Sequence, residues 1–100
     1  MAAYVISEVE VLNEEPARTY RDLAGASIER YGGRYLARGA EAQVLEGAPA
    51  AGRMVMVELP SLEAAHAWYA SGEYARALAY RDRALRRRLV LVEGLPAGPR

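Results

Sequence analysis

The chain has no cysteine, which excludes disulfides, thiolate catalysis and cysteine-based metal sites. It has no lysine either, so all thirteen basic residues are arginine. Planar, bidentate anion recognition is one use of such a composition; codon bias in a G+C-rich genome, which also suits the abundant alanine and glycine, is the plainer account. Phenylalanine is absent against seven tyrosines, which tilts aromatic contacts toward polar-tipped ones. Neither sign of charge is in excess, so no global field draws the chain to nucleic acid or to an anionic membrane. No apolar run approaches the length of a bilayer span. Met1-Ala2-Ala3-Tyr4 lacks the basic segment and apolar core of a signal peptide. A cytoplasmic protein with neither a nucleic-acid nor a membrane partner is therefore expected. Phosphate loop, dinucleotide fingerprint and catalytic triad are all missing.

What is present suits one domain. One hundred residues are too few for two, and a chain this short gains from pairing with a second copy. Residues 1–95 form the expected domain and 96–100 a flexible tail. Tyr4 to Val11 reads as a strand rich in β-branched residues. Asn13 stands at an N-cap position, followed by Glu14 and Glu15, where the helix dipole favours negative charge, and by Pro16 in the first turn. Tyr20, Leu23, Ala24, Ser27, Ile28 and Tyr31 make an i, i+3, i+4 stripe. Gly32 and Gly33 cap that helix.

Arg34 to Arg38 reads as a short strand interrupted at Gly39, with an extension through Gln43-Val44-Leu45-Glu46-Gly47. Residues 48–52 are loop by composition. Arg53 to Leu59 is a third strand, Pro60 ends it, and Ser61 caps a helix that carries Leu62, Ala65 and Tyr69 on one face. His66 and Trp68 flank that face. Ser71-Gly72 breaks the helix. A further helix over Glu73 to Leu85 puts Tyr74, Ala77, Leu78, Arg81, Ala84 and Leu85 on one stripe. Leu89 to Glu93 is the last strand.

The order βαββαβ, with Leu45-Glu46-Gly47 weakly echoed by Val92-Glu93-Gly94, suits the ferredoxin-like plan of a four-stranded antiparallel sheet with helices on one face. Yet the first and third strands are apolar on both faces. Val5, Val9 and Val11 alternate with Tyr4 and Ile6; Val55 and Val57 oppose Met54 and Met56. A sheet apolar on both faces wants two covers, and a symmetric copy is the most economical source of the second.

The run Tyr31-Gly32-Gly33-Arg34-Tyr35-Leu36-Ala37-Arg38-Gly39, then Leu45-Glu46-Gly47, Glu58-Leu59-Pro60-Ser61, Ala67-Trp68-Tyr69-Ala70-Ser71, Glu73-Tyr74 and Val92-Glu93-Gly94 resembles domain-of-unknown-function family 1330. The match runs from about Tyr4 to Gly94. The resemblance implies an α+β, ferredoxin-like subunit that dimerises sheet against sheet into an α/β barrel. That superfamily includes cofactor-free monooxygenases, muconolactone isomerase-like proteins and haem-binding relatives. The family itself carries no settled activity, and no cofactor is expected. Family members often have an acidic residue where this chain has Asn13, and a glycine where it has Ala40.

Several residues carry candidate chemistry. Arg81, on an apolar stripe, needs a partner such as Glu46, Glu58 or Glu93; it forms a structural ion pair, lets its head reach solvent, or binds a carboxylate or phosphate in a cleft. Arg34 and Arg38 share one strand parity and read either as an anion-binding edge or as edge protection. His66, the single histidine, lacks a metal-ligand partner at i+3 or i+4, so no metal site is expected; it reads as a general base or as a helix-flank residue. Trp68, Tyr69, Tyr74 and Tyr80 cluster around the Ser71-Gly72 break as pocket lining or as core. Arg81 to Arg88 reads as a solvated helix end.

The expected function is a homodimer that binds a small anionic or aromatic organic molecule between sheet and helices, with Asn13, Arg38, Tyr69, Tyr74 and Arg81 as ligand contacts. The enzymatic alternative is a cofactor-free monooxygenase or isomerase, with His66 or Glu58 as base and Arg38 or Arg81 stabilising an enolate-like oxyanion. A structural or protein-binding dimer is the third reading.

Overall fold

The computed structural model describes residues 1–96; residues 97–100 of the expected tail lie outside them. The elements are β1 (Ala3–Val11), α1 (Glu14–Arg30), β2 (Arg34–Ala40), β3 (Arg53–Leu59), α2 (Leu62–Tyr69), α3 (Gly72–Ala84) and β4 (Leu85–Glu93). The four strands form one antiparallel sheet in the order β2-β3-β1-β4. The expected βαββαβ order is therefore present, with its second helix broken in two. Among the described residues no helix is long and apolar enough to cross a membrane.

Local chemistry sets the helix boundaries. Asn13 takes the extended backbone of an N-cap but its side chain makes no capping bond. Glu14 and Glu15 face the positive end of the dipole instead. At the other end Gly33 N–H donates to Ile28 O at 2.9 Å and Gly32 N–H to Glu29 O at 3.0 Å, the paired bonds of a Schellman motif. Gly32 adopts φ +80° there, which a side chain would resist. Ser61 Oγ accepts from Ala64 N–H at 3.0 Å and caps α2. Ser71 Oγ donates to Trp68 O at 2.7 Å and accepts from Tyr74 N–H at 3.1 Å. One hydroxyl thus closes α2 and opens α3, which is why the chain bends here.

The helices cover one sheet face. Ala3, Val5, Ser7 and Val57, Leu59 point into that layer and are buried with Ala17, Tyr20, Ala24 and Ile28 of α1 and Ala65, Trp68, Tyr74 and Ala77 of α2 and α3. Burying each of the large apolar side chains contributes about 1.5–3 kcal/mol. Trp68 Nε1 donates to Ser27 Oγ at 3.0 Å, and Ser27 Oγ donates to Ala24 O at 2.7 Å, so the buried indole is satisfied and ties α2 to α1. Among the described residues no helix covers the opposite face. Its central row is Met56–Ile6–Val90, with Tyr4, Met54 and Val92 around it. The parities expected for β1 and β3 hold.

Three local expectations need correction. The strand extension through residues 43–47 is absent: 41–50 carry no strand, Leu45 is 91% exposed, and among the described residues no strand pairs with them. Arg34 and Arg38 do not share a face. Tyr35 pairs with Val57 and Ala37 with Met56, so Leu36 is an extra residue that shifts the register. A bulge exchanges the faces of everything after it. Arg34 therefore stands on the uncovered face and Arg38 on the helix face. A second shift falls at Gly39, whose φ of +74° suits glycine. Finally, Arg86-Arg87-Arg88 is not a helix end. The chain turns extended at Leu85 and β4 starts at once, pairing Arg88 with Glu8, Arg87 with Val9 and Arg86 with Glu10. Opposite charges facing across the strands override the helix preference of arginine.

Candidate functional site

A cleft of about 860 Å³ opens between the helix face of the sheet and α1. Its floor is Val5 and Val9 of β1, Val55 and Val57 of β3, and Leu85 and Leu89 of β4; Tyr20, Ala24 and Ile28 of α1 form the opposite wall. Trp68 stands at the deep end, and residues 50–53 form part of the rim. The rim is held in place: Ala51 N–H donates to Glu8 Oε2 at 3.1 Å, and a side chain at Gly52 would collide with Val9 O, 2.4 Å from the added carbon.

Arg87 supplies the most unusual polar group in this cleft. It sits beside Val9 on the helix face and is partly buried. Its Nη1 donates to Tyr20 Oη and its Nη2 to Tyr74 Oη. The two hydroxyls are themselves 2.7 Å apart. The guanidinium also lies 5.1 Å from the Tyr20 ring centroid, a cation–π distance. Among the described residues no carboxylate lies within 4.0 Å of it. A guanidinium has five N–H donors, and the tyrosines take two.

Burial, chiefly, and then the neighbouring Tyr74 push the Tyr20 hydroxyl well above the ordinary tyrosine range, against the opposing pull of Arg87. Tyr20 is therefore a neutral hydroxyl and a hydrogen-bond donor at physiological pH. Two hydroxyls sharing one bond leave one O–H proton uncommitted. Tyr74 is fully buried while Tyr20 lines the cleft. The shared bond can run in either direction; when Tyr74 donates, the spare proton is Tyr20's at the cleft wall.

Arg38 lies on the far side of the cleft, stacked 4.3 Å from the Tyr35 ring centroid. Gly25 of α1 faces this pair; a carbon added there would stand 3.5 Å from Arg38 Nη2. Burial raises the Tyr35 hydroxyl pKa, against the lowering effect of Arg38.

The other expected site residues lie elsewhere. Tyr74 is one contact behind the cleft wall, reached through Tyr20 and Arg87. Tyr69 is 47% exposed and packs 5.7 Å from Tyr74, ring to ring. Tyr80 is separate from this aromatic group and stacks with Arg83. Asn13 borders a shallow hollow with Pro16, Thr19 and Tyr80. Arg81 pairs with its neighbour Asp82 at 3.1 Å on the surface. His66 is exposed on α2. Glu58 stands on the uncovered sheet face, where Arg34 Nε donates to it at 2.8 Å and Tyr4 Oη at 3.3 Å. The Arg34 hydrogen bond holds its carboxyl below the usual carboxylate range, which makes it a weak base. Sequence reasoning passed over Arg87, Tyr20 and Arg53 as ligand contacts. The signal for Arg87 was available in the alternation Glu8, Glu10 against Arg86, Arg88, which pairs two strands and turns Arg87 inward.

This architecture defines an α+β protein of the ferredoxin-like class. The chain belongs to the family described as Domain of unknown function (DUF1330), whose model matches residues 2–95. A solved protein of unknown function from Rhodopseudomonas palustris is 21% identical, with 96% of this chain and 84% of that chain aligned at a TM-score of 0.74. A dimeric ferredoxin-like protein of unknown function from Bacteroides fragilis is 14% identical, over 93% of this chain and 96% of that one, with a TM-score of 0.57. A putative antibiotic biosynthesis monooxygenase from Nitrosomonas europaea is 17% identical over 96% and 94%, with a TM-score of 0.54. At these identities the likeness is one of fold. No curated protein matches the chain.

Proposed function

We propose that this protein is a homodimeric binding protein for a small organic anion, held in the cleft between sheet and α1. One observation carries the reading: Arg87 stands over an apolar floor with spare N–H donors and, among the described residues, no carboxylate within 4.0 Å. A partly desolvated cation without a counter-ion costs stability, and an anionic ligand removes that cost while making charge-assisted hydrogen bonds. Tyr20 adds a neutral hydroxyl on the same wall. The valine and leucine floor suits the organic body of the ligand.

The dimer reading is supported by the uncovered row Met56–Ile6–Val90 and by the dimeric neighbour of the same fold. Paired sheets would bury about 800 Å² per subunit in an ordinary interface.

The enzymatic alternative has one observation in its favour. Arg87 and Tyr20 are donors placed where an enolate-like oxyanion could be stabilised, and one fold neighbour is a putative monooxygenase. Neither His66 nor Glu58 lines the cleft; the carboxylates that do are Glu10, to which Arg86 donates at 2.8 Å, and Glu41. Binding is therefore the stronger reading.

Native mass spectrometry of gently purified protein tests it. The expected spectrum is a dimer carrying a small-molecule adduct that is lost in Arg87→Gln. An adduct unchanged by Arg87→Gln, with calorimetry showing no organic acid bound by the native protein, would overturn it.

A further inference from the structure

Resting on the reading of the cleft as an anion site, we infer that its ligand is a dianion, with two acidic groups joined by an apolar spacer. The strand register places a second cationic pole across the floor from Arg87. Val9 pairs with Arg87 on one side and with Arg53 on the other, so both arginines stand on the helix face, flanking one valine. Two strand steps separate their Cα atoms by about 9–10 Å. Arg53 donates from Nη1 to Gly39 O at 3.2 Å, which draws its head toward β2.

Arg38 joins Arg53 at this pole. It pairs with Val55, two residues along β3 from Arg53, which makes the two arginines diagonal neighbours about 7–8 Å apart. Among the described residues neither has a carboxylate within 4.0 Å. Glu41 lines the same end of the cleft without reaching either guanidinium. The two positive charges share one end of the cleft in a chain whose net charge is zero. Five other arginines are neutralised in ion pairs. Arg38 stacks on the Tyr35 ring and Arg53 donates to Gly39 O, which leaves both with further N–H donors, and an acid group at this end of the cleft supplies a charge-assisted partner. Between the poles the floor is Val9 and Val55, which offer nothing to a third polar group. One acid against Arg87, one against Arg53 and Arg38, and an apolar bridge over Val9 give a partner to each cleft arginine that lacks a carboxylate among the described residues.

Isothermal titration of the full chain with matched acids tests this. Succinate, adipate and suberate are compared with butyrate, hexanoate and octanoate, and terephthalate with benzoate. The expected result is that one diacid binds about tenfold or more tighter than its monoacid, the value of one charge-assisted contact. That advantage should vanish in Arg53→Gln and shrink in Arg38→Gln, both exposed substitutions whose folding is checked by thermal melting. Equal affinity for monoacid and diacid, lost in Arg87→Gln but untouched in Arg53→Gln, would overturn the dianion and leave the single-anion reading intact. If no acid of either series binds the native protein at millimolar concentration, the anion reading fails and the dianion with it.

Discussion

The hydroxyls of Tyr20 and Tyr74 meet 2.7 Å apart although the residues lie 54 positions apart in the chain, and Arg87 donates to both. This contact joins α1, α3 and β4 at the back of the cleft. It sets both the aim of the guanidinium and the stability of the layer behind it.

Removing one member should therefore leave the others short of partners. Tyr74→Phe keeps the ring and deletes a buried hydroxyl, at a cost of about 1–2 kcal/mol. In a domain of this size that corresponds to about 4–8 °C in Tm for each kcal/mol. Tyr20→Phe should cost a similar amount. The double variant should be non-additive by at least about 0.5 kcal/mol; strict additivity in denaturant melts would show that the two hydroxyls do not act together.

The pH dependence follows from Tyr20. Its folded pKa is raised above the unfolded value of about 10. A group raised on folding binds its proton more tightly in the native state, so its contribution is fully present below pH ~10 and is lost as pH climbs above that value. Stability should be insensitive to Tyr20 near neutrality and fall in alkali. In a spectrophotometric titration Tyr20 should ionise only with unfolding, and Tyr20→Phe should flatten the alkaline loss. An alkaline loss unchanged in Tyr20→Phe would assign it to other groups.

Trp68 is the single tryptophan and lines the deep end of the cleft. A ligand that fills the cleft should shift or quench its emission with the same midpoint as calorimetric binding. Trp68→Ala should cost about 3–5 kcal/mol, as for other large core aromatics, because both the ring contact with Tyr74 at 4.2 Å and the bond to Ser27 go. Binding without any change in emission would place the ligand outside the cleft.

Ile6 stands between Met56 and Val90 on the uncovered sheet face. Ile6→Asp should convert a micromolar dimer to monomer in light scattering, since a charge buried without a partner in such an interface is strongly unfavourable. Ala79→Asp, on an exposed position of α3, should leave the mass unchanged. A native protein that is already monomeric would remove the sheet-to-sheet dimer.

Much of the fold was legible in local pattern. The stripe from Tyr20 to Tyr31 marked α1, the glycine pair marked its end, and the opposed parities of Val55, Val57 and Met54, Met56 identified a sheet with two apolar faces. Each of these rests on spacing along the chain, which the residues carry whatever surrounds them. The site was less legible. Arg38 counts to the wrong face unless the bulge at Leu36 is known, and a bulge is a relation between two strands rather than a property of one. Arg86 to Arg88 continue a helical composition until Glu8 and Glu10 are placed opposite them. Arg87 becomes a candidate only when that pairing turns it inward and α1 and α3 bring Tyr20 and Tyr74 to its head. Periodicity along the chain determined which residues face a core; only the packing of distant elements decided which cations line the cleft with no carboxylate beside them among the described residues.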